Sequence, residues 1–127
     1  MMAQKILIVE DNDNNRSLFQ DILRFYDYDV SVAADGEEGV ALARKLLPDL
    51  ILMDIQMPGM DGLTAGQILK RDSLTRNLKI IALTSFAMQG DEGKFLAAGF
   101  DGYLSKPVNT RELPGRVKKW LSAERST

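Results

Sequence analysis

Neither cysteine nor histidine occurs anywhere in the 127 residues. Without cysteine there is no disulfide framework, no thiolate metal site and no thiol nucleophile. Without histidine the commonest general base, the usual zinc ligand and any phosphohistidine of the chain's own are excluded. Carboxylates, hydroxyls and lysines are left to carry any metal or phosphoryl chemistry. An excess of one charge is lacking too: 16 basic against 18 acidic side chains leave a net charge of −2. That balance argues against nonspecific nucleic-acid binding, although a local basic patch stays open. No apolar run approaches the roughly 20 residues of a membrane span. The opening Met1-Met2-Ala3-Gln4-Lys5 leads into only four apolar residues before acids follow, which is too short for a signal peptide. A cytoplasmic protein is the expectation.

What is present reads as one globular domain. Hydrophobic residues make up 45% and charged residues 27%, a composition that folds. The organised part is expected to run over residues 5–121, with 122–127 as a short polar tail. Ile6-Leu7-Ile8-Val9, Leu50-Ile51-Leu52-Met53 and Ile80-Ile81-Ala82-Leu83 are short uniform apolar runs. Such runs suit strands buried on both faces, as in a parallel sheet. Val30 and Val32 alternate with Asp29 and Ser31, which suggests a strand nearer an edge, and Gly102-Tyr103-Leu104-Ser105 reads as a fifth strand.

Helical spacing fills the gaps. Leu18, Phe19, Ile22, Leu23 and Tyr26 share one helix face, and Val40, Ala43 and Leu47 share another that Pro48 closes. Residues 63–70 form a short helix. Phe95, Leu96 and Ala98 mark the next, with Gly99 placed as its left-handed cap. Leu113, Val117, Trp120 and Leu121 mark the last, with Thr110 as candidate N-cap and Glu112 near its start. Five strands alternating with five helices predict an open, doubly wound α/β sheet.

In such sheets ligands bind beyond the carboxyl ends of the strands. Those ends hold Glu10 and Asp11, Asp54, Thr84 and Lys106. Three carboxylates in one crevice repel, and Lys106 compensates only one charge. A hard divalent cation with all-oxygen ligands, Mg²⁺ by habit, would compensate the rest. Glu10 and Asp11 are adjacent, so at most one is expected to coordinate directly. Asp54 is the candidate nucleophile, since a carboxylate can attack a phosphoryl group to form an aspartyl phosphate. Taken singly, each residue has an ordinary explanation: a helix-start acid, a loop acid, a strand-end cap, a surface lysine. Their conjunction is what points to chemistry.

The segments ILIVEDN, LILMDIQMPGMDG, ALTSFA and YLSKP resemble the receiver domains of two-component response regulators, over nearly the whole chain. That resemblance implies a flavodoxin-like (βα)5 sheet of order 2-1-3-4-5. It implies phosphotransfer to Asp54 from a histidine kinase or histidine phosphotransfer protein. By it, Asp11 and Asp54 with the backbone carbonyl of Gln56 bind Mg²⁺, Glu10 acts through water, and Thr84 and Lys106 contact the phosphoryl group. Tyr103 matches the switch aromatic that turns inward when Thr84 moves. Lys106-Pro107 resembles the family's cis peptide, and Ser85 is small, as a neighbour of a phosphorylated aspartate must be. Gln56 and Phe86 lie where the family varies its dephosphorylation rate.

Asn14, Asn15 and Leu18, with Pro107 and Val108, resemble the family's donor-docking surface. Arg111, Arg116, Lys118 and Lys119 offer a basic face to an output partner, although a solvated helix face is the simpler reading. The stretch from Thr84 to Met88, with the asparagine-rich first helix, most resembles single-domain cell-division regulators of the DivK type, and also receivers of hybrid histidine kinases. The expected protein is a signalling phosphoacceptor that is monomeric or a weak phosphorylation-dependent dimer, and no enzyme beyond its own phosphorylation and dephosphorylation. An aspartate-nucleophile phosphatase would need an acid where Gln56 stands, together with a cap domain. A flavodoxin would need a phosphate-binding loop where Glu10-Asp11-Asn12-Asp13 stands.

Overall fold

The computed structural model describes residues 3–85 and 91–123. Phe86, the rest of the stretch to Met88 and tail residues 124–127 lie outside them. Ten elements alternate along the chain. They are β1 (Lys5–Val9), α1 (Asp13–Phe25), β2 (Asp29–Ala33), α2 (Gly36–Leu46), β3 (Leu50–Asp54), α3 (Gly62–Arg71), β4 (Lys79–Thr84), α4 (Asp91–Ala97), β5 (Gly102–Ser105) and α5 (Leu113–Ser122). The sheet is parallel throughout, in the order β2-β1-β3-β4-β5. This is the doubly wound, flavodoxin-like architecture that the alternation and the resemblance imply.

The uniform apolar runs are explained by what lies above and below them. Side chains alternate faces along a strand, so each run supplies two cores. Leu7, Val9, Ile51, Met53, Ile80 and Ala82 pack with α2, α3 and α4 through Val40, Ala43, Ala65, Leu69 and Phe95. Ile6, Ile8, Leu50, Leu52, Ile81 and Leu83 pack on the other face with α1 and α5 through Phe19, Leu23, Leu113 and Val117. β2 is an edge strand as its alternation suggests, with Asp29 exposed and Val30 buried. Among the described residues no helix is long and apolar enough to cross a membrane.

The helix starts are set by side chains that satisfy otherwise orphaned N–H groups. Asn12 Oδ1 accepts from Asn15 N at 2.9 Å, Asp35 Oδ1 from Glu38 N at 2.8 Å and Asp61 Oδ1 from Thr64 N at 2.7 Å. Gly99 takes the expected left-handed conformation, with φ +93°. The far end of α5 is held by Lys79, whose Nζ donates to the carbonyls of Trp120 and Ala123, each at 2.6 Å.

Three expectations at helix ends are corrected. Thr110 is not the N-cap of α5: the helix begins after Glu112 with no side-chain cap. Asn109 organises the turn instead, with its Oδ1 accepting from Arg111 N at 3.0 Å and its carbonyl from Glu112 N and Leu113 N. Pro114 in the first turn has no N–H to satisfy, so a cap has less to do. Leu47 is not on the apolar face of α2. It lies past the helix end in the left-handed conformation, φ 47°, and is exposed, because Pro48 cannot extend the helical hydrogen bonding. Tyr26 likewise sits at the C-cap of α1 and is exposed; Phe19 and Leu23 are that helix's buried residues.

One glycine ties the fold to the strand ends. Gly62 N donates to Ile55 O at 3.1 Å, and a Cβ added there would lie 2.0 Å from the carbonyl oxygen of Asp54. Backbone cannot yield to that overlap cheaply. Gly62→Ala is therefore expected to lower stability by about 2–4 kcal/mol. Gly115→Ala is the contrast: it lies in the first turn of α5, exposed and with open space around it, and should raise stability by about 0.4–1 kcal/mol. Urea midpoints of the two variants check this; similar shifts in both would sink it.

Candidate functional site

The carboxyl edge of the sheet is extended by backbone hydrogen bonds that run on past the strands. Glu10 N donates to Ala33 O at 3.0 Å, Ile55 N to Leu83 O at 2.9 Å and Lys106 N to Thr84 O at 2.8 Å. The side chains at those points are thereby placed as firmly as the sheet itself. Glu10, Asp54 and Thr84 are the buried polar residues that face this edge, each 1% exposed or less. Asp11 is exposed.

Lys106 reaches across from the β5 side. Its Nζ lies 3.0 Å from Glu10 Oε1 and 3.1 Å from Asp54 Oδ2. The Lys106–Pro107 peptide that precedes α5 is cis. Glu10 is further held by Asn15 Nδ2, which donates to its Oε1 at 3.3 Å, and by Arg16 Nη1, which donates to its carbonyl at 2.9 Å. Asp54 Oδ1 accepts from Gln56 N at 3.1 Å. With both carboxyls ionised, Glu10 Oε2 and Asp54 Oδ2 are buried without an aligned hydrogen-bond donor.

One lysine facing two buried carboxylates leaves the cleft short of positive charge. Asp54 takes the consequence: burial, then the hydrogen bond and negative charge of Glu10, push its carboxyl up to about 8, against the pull of Lys106. For Glu10 burial acts upward, but the hydrogen bond with Asp54 and the Lys106 ammonium outweigh it and hold Glu10 below its ordinary value. For Lys106 burial acts downward and is outweighed by both carboxylates, so its ammonium is favoured.

Glu10, Asp11 and Asp54 each offer an oxygen within 4.8 Å of the others. Together with the two buried oxygens that lack donors, this all-oxygen set fits a hard divalent cation. The Gln56 backbone is tied beside Asp54 through its N–H. Its side chain turns toward β4, with Nε2 donating to Thr84 Oγ1 at 3.4 Å and Oε1 accepting from Ser85 N at 3.3 Å.

The structure also places the remaining residues singled out in the sequence. Tyr103 is half-buried against Phe95, ring centroids 6.1 Å apart. Asn15, Leu18, Pro107 and Val108 line one cleft of about 310 Å³ with Lys106 and Ser85. Asn14 is exposed on α1 and is not part of that lining. On α5, Arg116 lies over the Trp120 ring at 4.9 Å, and Lys118 and Lys119 are exposed; Arg111, also exposed, lies in the turn before the helix and not on its face. The contacts of Asn15 and Arg16 to Glu10 and the bridge made by the Gln56 side chain were not foreseen. Asn15 and Arg16 lie one turn into α1 with no spacing signal of their own.

A family model described as the response regulator receiver domain matches residues 6–118. A polar-differentiation response regulator DivK from Brucella anthropi is 40% identical over 120 residues, spanning 94% of this chain and 98% of the relative. Two solved structures are similar throughout. A putative response regulator from Chloroflexus aurantiacus has TM-score 0.89 and 34% identity, covering 96% of this chain and all of that one. The receiver domain of a sensor histidine kinase from Pseudomonas aeruginosa, solved with a magnesium ion coordinated in its active-site cleft, has TM-score 0.87 and 38% identity, with 96% and 100% covered.

The proton on Asp54 has a measurable consequence in metal-free protein. The folded carboxyl titrates near 8 and the unfolded one near 3.8, so the folded state binds more protons across that window and loses stability as pH rises through it. No histidine titrates in the same range. In chelator, Asp54→Asn is expected to melt higher than the wild type. The gap should widen as pH rises from 5 to 8 and then level. A gap that is constant with pH would show that Asp54 is already ionised when buried.

Proposed function

The chain belongs to the response regulator receiver family, and on that premise we propose that Asp54 accepts a phosphoryl group from a phosphohistidine donor in a magnesium-dependent reaction that switches contacts with partner proteins. The observation that carries this reading is the clustering of Glu10, Asp11 and Asp54, with Lys106 against the first and last of them and one buried oxygen of each of these two without an aligned donor when ionised. Residues 5–121 make up the receiver unit. Asp11, Asp54 and the Gln56 carbonyl would hold Mg²⁺, with Glu10 acting through water. When bound, the ion supplies neutralisation of the phosphoryl oxygens.

The chain's own residues do the rest. An ionised oxygen of Asp54 attacks phosphorus, the P–N bond to the donor imidazole breaks, and its electron pair returns to that ring, which takes up a proton. Lys106 pairs with a phosphoryl oxygen once the bond has formed, and the Thr84 hydroxyl donates to another. Thr84 drawn toward the phosphoryl group makes room for Tyr103 to turn inward, and the added charge biases that state over the resting one. The donor, a histidine kinase or histidine phosphotransfer protein, docks on the cleft lined by Asn15, Leu18, Pro107 and Val108, with Asn14 beside it. The signal passes to a downstream output protein by contact, in the cytoplasm. The same chemistry applies whether the receiver works alone, as the DivK likeness suggests, or within a hybrid kinase, as the likeness to a kinase receiver suggests.

Intact mass after incubation with acetyl phosphate tests the acceptor. One phosphoryl group is expected on the wild type with Mg²⁺, none with chelator and none on Asp54→Asn. If Asp54→Asn gains the group as readily, the acceptor is another residue. If only a phosphorylated histidine protein labels the wild type, the acceptor stands and the donor is dedicated.

A further inference from the structure

Gln56 makes contacts that the phosphoacceptor reading leaves without a task. Its backbone N–H serves Asp54 on one side, and its carboxamide bridges to the end of β4 on the other. One end of the amide donates to Thr84 Oγ1 at 3.4 Å and the other accepts from Ser85 N at 3.3 Å. A single side chain thus uses both its donor and its acceptor on two consecutive residues. Both bonds are long for their kind, and the Gln56 side chain is only half-buried. Such a bridge fixes a resting arrangement and can be released.

Chemistry at Asp54 gives the bridge a consequence. A phosphoryl group there brings acceptor oxygens that need donors. The Thr84 hydroxyl and the Ser85 N–H at the end of β4 are two groups able to donate, and Gln56 engages both. The carboxamide oxygen stands at Ser85 N where a phosphoryl oxygen would otherwise be received. The carboxamide N–H at Thr84 Oγ1 restricts how the hydroxyl can turn.

The geometry points to Gln56 as a positioning residue: a latch that holds Thr84 and Ser85 in their unphosphorylated arrangement and must let go before they turn to the phosphoryl group. This rests on the reading of Asp54 as the acceptor. It is separate from any effect on water access to the acyl phosphate, because it acts on formation of the adduct and not on its hydrolysis. A contact made in only one of two states favours that state, so removing it tightens whatever binds the other.

Beryllofluoride, a phosphoryl mimic that is not hydrolysed, isolates this effect. Its binding to the full chain with Mg²⁺ can be followed by ¹⁹F NMR in the wild type, Asp54→Asn, Gln56→Met and Gln56→Ala. Methionine keeps the length of glutamine and removes both polar ends; alanine empties the position. Both Gln56 variants are expected to bind about three- to tenfold tighter than the wild type, the scale of two weak hydrogen bonds. The Ser85 amide of the mimic-free variants should exchange its hydrogen faster, with the melting temperature reporting that the fold is kept. Equal or weaker mimic affinity in the folded variants, or unchanged Ser85 exchange, overturns the latch. A wild type that takes up no beryllofluoride, or an Asp54→Asn that still does, overturns the acceptor reading beneath it.

Discussion

Two carboxylates held away from water against a single ammonium set the character of the cleft, and most of its other features answer to that imbalance. Glu10 and Asp54 are buried because they directly follow or end strands whose side chains, Lys5 apart, are buried. Water cannot screen them there, so their mutual repulsion is felt at nearly full strength. Without a metal, the crowding raises the affinity of Asp54 for a proton, and Lys106 lies within reach of both carboxyls. A cleft arranged in this way favours the arrival of further positive charge.

Holding like charges together requires a frame that does not give. The frame is backbone. Ladder bonds continue beyond β1, β3 and β5 into Glu10, Ile55 and Lys106, which carry or adjoin the charged side chains. At Gly62 the start of α3 comes so close to the Asp54 carbonyl that there is no room for even a methyl group. Side chains at the edge can therefore turn while their attachment points stay fixed.

Much of this was legible in the residues, and the parts that were not share a cause. Ile6 to Val9, Leu50 to Met53 and Ile80 to Leu83 announce strands covered on both faces because burial on two sides leaves no polar positions. The strand-end acids, Thr84 and Lys106 then follow from topology alone. Helix ends were harder. Whether Thr110 or Asn109 organises the turn before α5, and whether Leu47 still belongs to α2, depends on single dihedral angles and local bonds that apolar spacing does not carry. The Gln56 bridge was invisible for another reason: it depends on the register between β3 and β4, which sets Asp54 opposite Leu83 and brings a side chain from one loop against the next strand's end. Asn15 and Arg16 show the same limit, since their contacts to Glu10 depend on how α1 leans over the sheet.

The division of the core into two layers reaches beyond stability. The cleft lined by Leu18, Pro107 and Val108 opens beside α1, whose buried residues join the core on one face of the sheet; Tyr103 packs with Phe95 toward α4 on the other. Pro107 and Val108 line that first cleft and also the one that holds Phe95 and Tyr103. The short loop after the cis peptide is thus a shared doorpost: whatever leans on it from one side is felt at the rim of the other.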